Sequence, residues 1–118
     1  MNEAMNIFLQ AAKEREHIRP LIQHADLRVC LRCHDQAIQL IMKNGEIVAL
    51  YHSENSEQTK NEIIGSLSAM KQLLEGKERL RVLEQQGELT VAASLRAALL
   101  LESIFYLTKA RQPLVKIV

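Results

Sequence analysis

The sequence predicts an α+β fold: a five-stranded mixed sheet covered on one face by helices. Three observations carry this prediction. Apolar residues recur at helical spacing near the N-terminus, change to an alternating period from Asp26, and return to helical spacing in residues 67–110 with one short strand between. Asn44-Gly45 divides the alternating region, and both residues tolerate the positive φ of a tight hairpin. Strands, then helices, then one more strand and a long helix form the element order of an α+β domain.

Residues 2–25 read as helix, because Met5, Phe8, Leu9 and Ala12 share a face. Residues 13–17 are charged and read as a solvated face. Pro20 lacks an amide hydrogen and clashes with the turn before it. A break or restart is therefore predicted near Arg19, with Leu21 and Ile22 packing beyond it.

From Asp26 the period becomes two. Leu27, Val29, Leu31 and Cys33 fall on one face of a strand, and Arg28, Cys30 and Arg32 on the other. His34-Asp35 can turn the chain. Ile38, Leu40 and Met42 then alternate with Ala37, Gln39 and Ile41, and residues 46–52 make a third strand after the Asn44-Gly45 turn. Residues 53–60 are polar and read as a loop. Residues 62–65 form a short fourth strand. Ser66 caps a helix whose buried stripe is Leu67, Met70, Leu73 and Leu74, and Gly76 stops it. Residues 78–86 make another short helix with Leu80 and Leu83 inward. Gly87 restarts the chain as a fifth strand, residues 88–92. Ser94 caps a final helix over residues 95–110, and Pro113 keeps the tail 114–118 out of it.

A length of 118 residues fits one domain, 1–118, with an N-terminal helix over 1–25, a core over 26–110 and a short tail over 111–118. A net charge of +1 gives no overall field for nucleic acid or an anionic membrane, so neither partner is expected. Aromatics are 3% of the chain and Trp is absent, which argues against a base-stacking platform. No apolar run approaches the roughly 20 residues of a transmembrane helix. No basic segment followed by an apolar run marks a secretory signal. A cytoplasmic location with two free thiols is the expectation.

Ser66-Leu-Ser-Ala-Met-Lys-Gln-Leu-Leu-Glu-Gly-Lys77 resembles the short helix and Gly-Lys turn of the sterol carrier protein (type two) family. Ten residues on, Gly87-Glu-Leu-Thr-Val91 is similar to that family's Gly-x-Leu-x-Ile/Val strand, and a long apolar helix follows directly. The ordered similarity runs over residues 26–110. At the strand-to-helix junction Ala93 stands where the family often has glycine, which restricts the backbone there. The resemblance implies an apolar tunnel between the sheet and the C-terminal helix, holding a sterol, fatty acyl chain or phospholipid. It implies no catalytic residues and no cofactor.

The final helix adds its own signal. At about 100° per residue, Leu107, Leu100, Ile104, Ala97, Leu101, Phe105 and Ala98 fill a wide apolar arc interrupted by Thr108. On the opposite side Leu95, Leu99 and Tyr106 form a second, narrow stripe between polar residues. A helix apolar on two sides has two partners. On ordinary packing grounds the wide arc meets the sheet and the narrow stripe meets the N-terminal helix. Alternatively the wide arc lines a lipid cavity, or the narrow stripe meets a ligand or a second subunit.

Cys30-Leu-Arg-Cys33-His34 spells the c-type haem attachment pattern. That motif normally sits on a helix, whereas residues three apart on a strand point to opposite faces. The same geometry disfavours zinc, for which His24 or His52 would be the fourth ligand after Cys30, Cys33 and His34. The plainer reading makes Cys33 a small core residue, Cys30 a sheet-face residue and His34 a turn residue. Glu14 with Glu16 and Glu54 with Glu57 read as surface carboxylates, and His17 and His24 as helix-associated residues.

The leading functional expectation is therefore non-catalytic binding, and transfer, of a lipid or acyl chain. Met70, Leu73, Leu74, Leu100, Leu101, Ile104 and Phe105 are the candidate lipid contacts. The first alternative is a ligand-free homodimer joined through Leu95, Leu99 and Tyr106. The second is metal or haem binding through Cys30, Cys33 and His34.

Overall fold

The computed structural model describes residues 1–34, 36–52 and 61–110. The loop read at 53–60, the tail with Pro113, Asp35 of the first turn, and the pair Glu54 and Glu57 lie outside the described residues, as does the side chain of His52.

Helix α1 spans Asn2–Glu14, a 3₁₀ turn spans Glu16–Ile18, and α2 spans Arg19–Gln23. The strands are β1 (Leu27–Cys33), β2 (Gln36–Lys43), β3 (Glu46–His52), β4 (Glu62–Gly65) and β5 (Leu89–Ala92). Helices α3 (Leu67–Glu75) and α4 (Leu80–Gln85) separate β4 from β5, and α5 (Leu95–Thr108) follows. The five strands run in the order β3-β2-β1-β4-β5. β1 pairs parallel with β4, and the other neighbours are antiparallel, so the sheet is mixed. No helix among the described residues is long and apolar enough to cross a membrane.

The predicted alternation decides which face is covered. Paired residues project to the same side of a sheet. Val29, Leu31, Ile38, Leu40, Met42 and Ile63 are buried beneath the helices. Val48, Leu50 and Ile64 project from the opposite face and are 40–45% exposed. Cys30 belongs to that open face yet is buried, as is Ala37. Against the covered face pack Met5 and Phe8 of α1, Met70, Leu73 and Leu74 of α3, and Leu101, Ile104 and Phe105 of α5. The Phe8 and Phe105 rings meet at 5.0 Å between centroids, tilted by 53°.

The turns and caps follow local chemistry. Asn44 and Gly45 take φ of 54° and 79°, the mirror-image turn that matches strand twist. Ser66 and Ser94 accept hydrogen bonds from the amides of Ala69 and Ala97, each at 3.1 Å. Gly76, at φ 74°, ends α3 in the left-handed region. There Lys77 N donates to Gln72 O at 3.0 Å and Gly76 N to Leu73 O at 3.2 Å. Ala93 has no positive φ, so the β5–α5 junction does not require the family's glycine.

The N-terminal segment departs from the prediction. The helix breaks at Arg15, whose backbone is extended at φ −90°, ψ 101°, ahead of the proline. α2 does restart at Arg19, and Pro20 lies in its first turn, where a missing amide hydrogen costs nothing. Nor are residues 13–17 uniformly solvated, since Arg15 is 8% exposed. The extended residue swings its guanidinium to the far end of α5. Arg15 Nε donates to Thr108 O at 3.3 Å, and His17 Nε2 lies 2.8 Å from Leu107 O. Carbonyls at a helix C-terminus lack intrahelical donors and favour cationic partners. Thr108 is itself buried, its hydroxyl donating to Ile104 O at 2.6 Å.

Candidate ligand-binding site

The candidate lipid contacts divide into a packed wall and an opening. Met70, Leu73, Leu74, Leu101, Ile104 and Phe105 have no exposed surface and belong to the core. Leu100 is half-buried at the edge of that core and lines a cavity of about 540 Å³. This volume is on the scale of small-molecule pockets, roughly 300–1,000 Å³. Leu27, Ala97 and Leu100 give the cavity an apolar floor, and His24, Asp26 and Arg96 give it a polar, mixed-charge rim. Three segments far apart in sequence build it: the turn from α2 into β1, the start of β4, and the first turns of α5.

A second cavity, about 350 Å³, lies between the first two helices and the β2–β3 hairpin. Leu9, Ala12, Ile22, Ile47 and Val48 line it, with Lys13 and Glu46 as its charged groups. Neither cavity was visible in the helical periodicity, which ranks residues along one element and carries no information on gaps between elements.

The narrow stripe of α5 does not pack on the N-terminal helix. Leu95 and Leu99 are 68% and 41% exposed. Tyr106 is half-buried between two cations, with Arg79 4.8 Å and Lys109 5.1 Å from the ring centroid. The wide arc is also narrower than predicted. Leu107 is 43% exposed, and α5 offers Arg15 and His17 its backbone carbonyls at that end.

The two cysteines are buried on opposite faces of β1, Cys33 with the core side chains and Cys30 on the open face. The split excludes joint attachment of one haem or one metal by this strand as it stands. Among the described residues, no group of three or more His, Cys, Asp and Glu is placed to hold a metal ion. Cys30 Sγ lies 4.0 Å from Arg32 Nη2, and Arg32 Nε pairs with Glu62 Oε1 at 2.7 Å. Burial pushes the Cys30 thiol up, against the opposing pull of Arg32. A thiol held protonated is a poor nucleophile and a poor ligand.

No protein-family model matches the chain, and no curated protein sequence does. Solved structures do match. A ubiquinone synthesis protein described as UbiJ-SCP2 superposes with a TM-score of 0.67 at 12% identity, over 89% of this chain and 87% of that one. A crystal structure of sterol carrier protein 2 gives 0.65 at 16% identity, over 91% and 94%. The chain has the sterol-carrier-protein fold. Sterol carrier protein 2 from Yarrowia lipolytica, in its apo form, shares this fold with a TM-score of 0.62 at 14% identity, over 92% and 90%. The α3 helix with its Gly76 stop and the Gly87–β5–α5 run, on which the sequence resemblance rested, are integral elements of the carrier fold seen here.

Proposed function

We propose that this chain binds a lipid or acyl-chain ligand without catalysis, taking it up at the cavity beside Leu100. The observation that carries this reading is the cavity itself, where Leu27, Ala97 and Leu100 form an apolar floor beside the polar and charged groups of His24, Asp26 and Arg96. The fold shared with sterol carrier protein 2 supports it. The ligand's apolar body leaves water for this layer, each buried methylene contributing about 0.8 kcal/mol. Leu101, Ile104, Phe105, Met70, Leu73 and Leu74 belong to the packed core, and none of them lines this cavity. Native mass spectrometry of the purified protein should show retained lipid, and a fluorescent fatty acid should be taken up. Leu100→Glu places a carboxylate on the floor and should weaken uptake by about tenfold or more, the loss of roughly two methylene contacts. Because Leu100 borders an open cavity, the thermal midpoint should change little. An apo mass with no fatty-acid uptake by the parent protein would refute the reading.

A second reading is favoured by Leu95 and Leu99, two large apolar side chains left open on one side of α5. In that reading the same surface of a second copy covers them. Light scattering should then give twice the 13.4 kDa chain mass, and Leu99→Glu should return it to one. A monomer in both proteins rejects the dimer and leaves the lipid reading untouched.

A further inference from the structure

The two cavities meet the chain at the end of α2 and at the turn that follows it. His24, Ala25 and Leu27 line one, and Ile22 lines the other. Between them runs a single cross-strand row on the covered face of the sheet. Leu27 pairs with Met42, and Met42 pairs with Ile47. Leu27 forms part of the first cavity and Ile47 part of the second, and both are half-buried. Met42, in the middle, is fully buried. Two strand spacings separate the ends of the row, roughly 10 Å.

We infer that the two cavities are the two ends of one acyl-chain site that passes beneath α2 across Leu27, Met42 and Ile47. This rests on the lipid-binding reading and gives the ligand a path and a class. The residue that separates the cavities is unbranched, with three rotatable bonds, the side chain best able to move aside. The roof is a five-residue helix without a side-chain N-cap, packed on β2, β3 and α5. Short, weakly capped elements open at low free-energy cost. The neighbouring row, Val29, Leu40 and Ala49, closes one side of the path, with Val29 and Leu40 fully buried. A path one side-chain row wide, two residues along the strands or roughly 7 Å, is filled by a single extended hydrocarbon chain. Displacement of Met42 alone opens room for one unbranched acyl chain, and this is the ligand class. The larger cavity, whose rim carries Arg96 and His24 together with Asp26, takes the polar head, held by Arg96. The smaller cavity, with Leu9, Ala12, Ile22 and Ile47 in its lining, takes the methyl end.

Paramagnetic broadening of amide signals tests the path. Two stearates are added to the isotope-labelled full chain, one with its nitroxide near the carboxylate and one with it near the methyl end. The head-labelled probe should erase peaks from residues 24–27 and 96–100. The tail-labelled probe should erase peaks from residues 9–13 and 45–48. If the tail-labelled probe instead erases residues 70–74 and 101–105, leaving 9–13 and 45–48 intact, lipid binding stands and the path beneath α2 is wrong. If neither probe broadens any peak, stearate does not bind and the path is wrong; the carrier reading falls with it when native mass spectrometry also shows only the apo mass.

Discussion

Gly76→Ala should unfold at a much lower urea concentration than the parent, with a loss of about 2–5 kcal/mol. Two effects add. At φ 74° an L side chain is strained, which costs roughly 1–2 kcal/mol. A Cβ there would also lie 2.8 Å from Lys109 Cα and 3.1 Å from both Lys109 N and Phe105 O. These are backbone atoms and cannot swing away, so the stop of α3 and the end of α5 would have to separate. Forced expansion of a packed contact costs typically 1–3 kcal/mol. Gly87→Ala is the matched control. Its φ is 77°, and nothing lies within 4 Å of the added carbon. It should lose the conformational part alone. The difference between the two variants in equilibrium denaturation measures the contact between the two helix ends. Equal losses would mean that this contact contributes nothing.

The same glycine shows why so much of the fold was readable. Gly76, Gly87, Asn44-Gly45, Ser66 and Ser94 each impose a local rule on the backbone, and every one is obeyed. Alternation assigned the faces of β1 and β2 correctly because one face is covered and the other is open. Local rules failed where the reason was distant. Arg15 breaks α1 because carbonyls at Leu107 and Thr108 need partners, and those lie at the other end of the sequence. A signal was present even so, since Arg15 stands seven residues after Phe8 and three after Ala12, on the buried stripe.

The candidate site was less legible, for a related reason. Periodicity identified Leu100, Leu101, Ile104 and Phe105 as one apolar arc and could not divide them. Packing divides them, because Phe8 fills the space under Phe105 while nothing from the α2–β1 turn fills the space beside Leu100. His24, Asp26 and Arg96 become a rim through tertiary neighbours alone. The same holds for the Cys30-to-His34 string. Its spelling suggested attachment chemistry, and its strand conformation disposes of that by sending the thiols to opposite faces.

Phe105→Ala separates the two routes by which a lipid could lie in this fold. The ring is fully buried and packs at a tilt against Phe8, so its removal should cost about 3–5 kcal/mol in chemical denaturation. The space left behind is lined by apolar groups and stays dry. A dry apolar cavity next to an acyl chain is an invitation only if the chain runs there. A ligand that binds the folded state alone stabilises it by about 2.7 kcal/mol at a hundred times its dissociation constant. With the chain beneath α2, across Met42, saturating stearate should raise the midpoints of parent and variant by the same free energy, since Phe105 is wall in both. With the chain between α5 and the sheet, the variant should bind it more tightly and regain a larger share of its lost stability. Equal gains, together with tail-probe broadening at residues 45–48, are the expected result. A larger gain in the variant would move the acyl chain against α5 and turn the packed wall into the site.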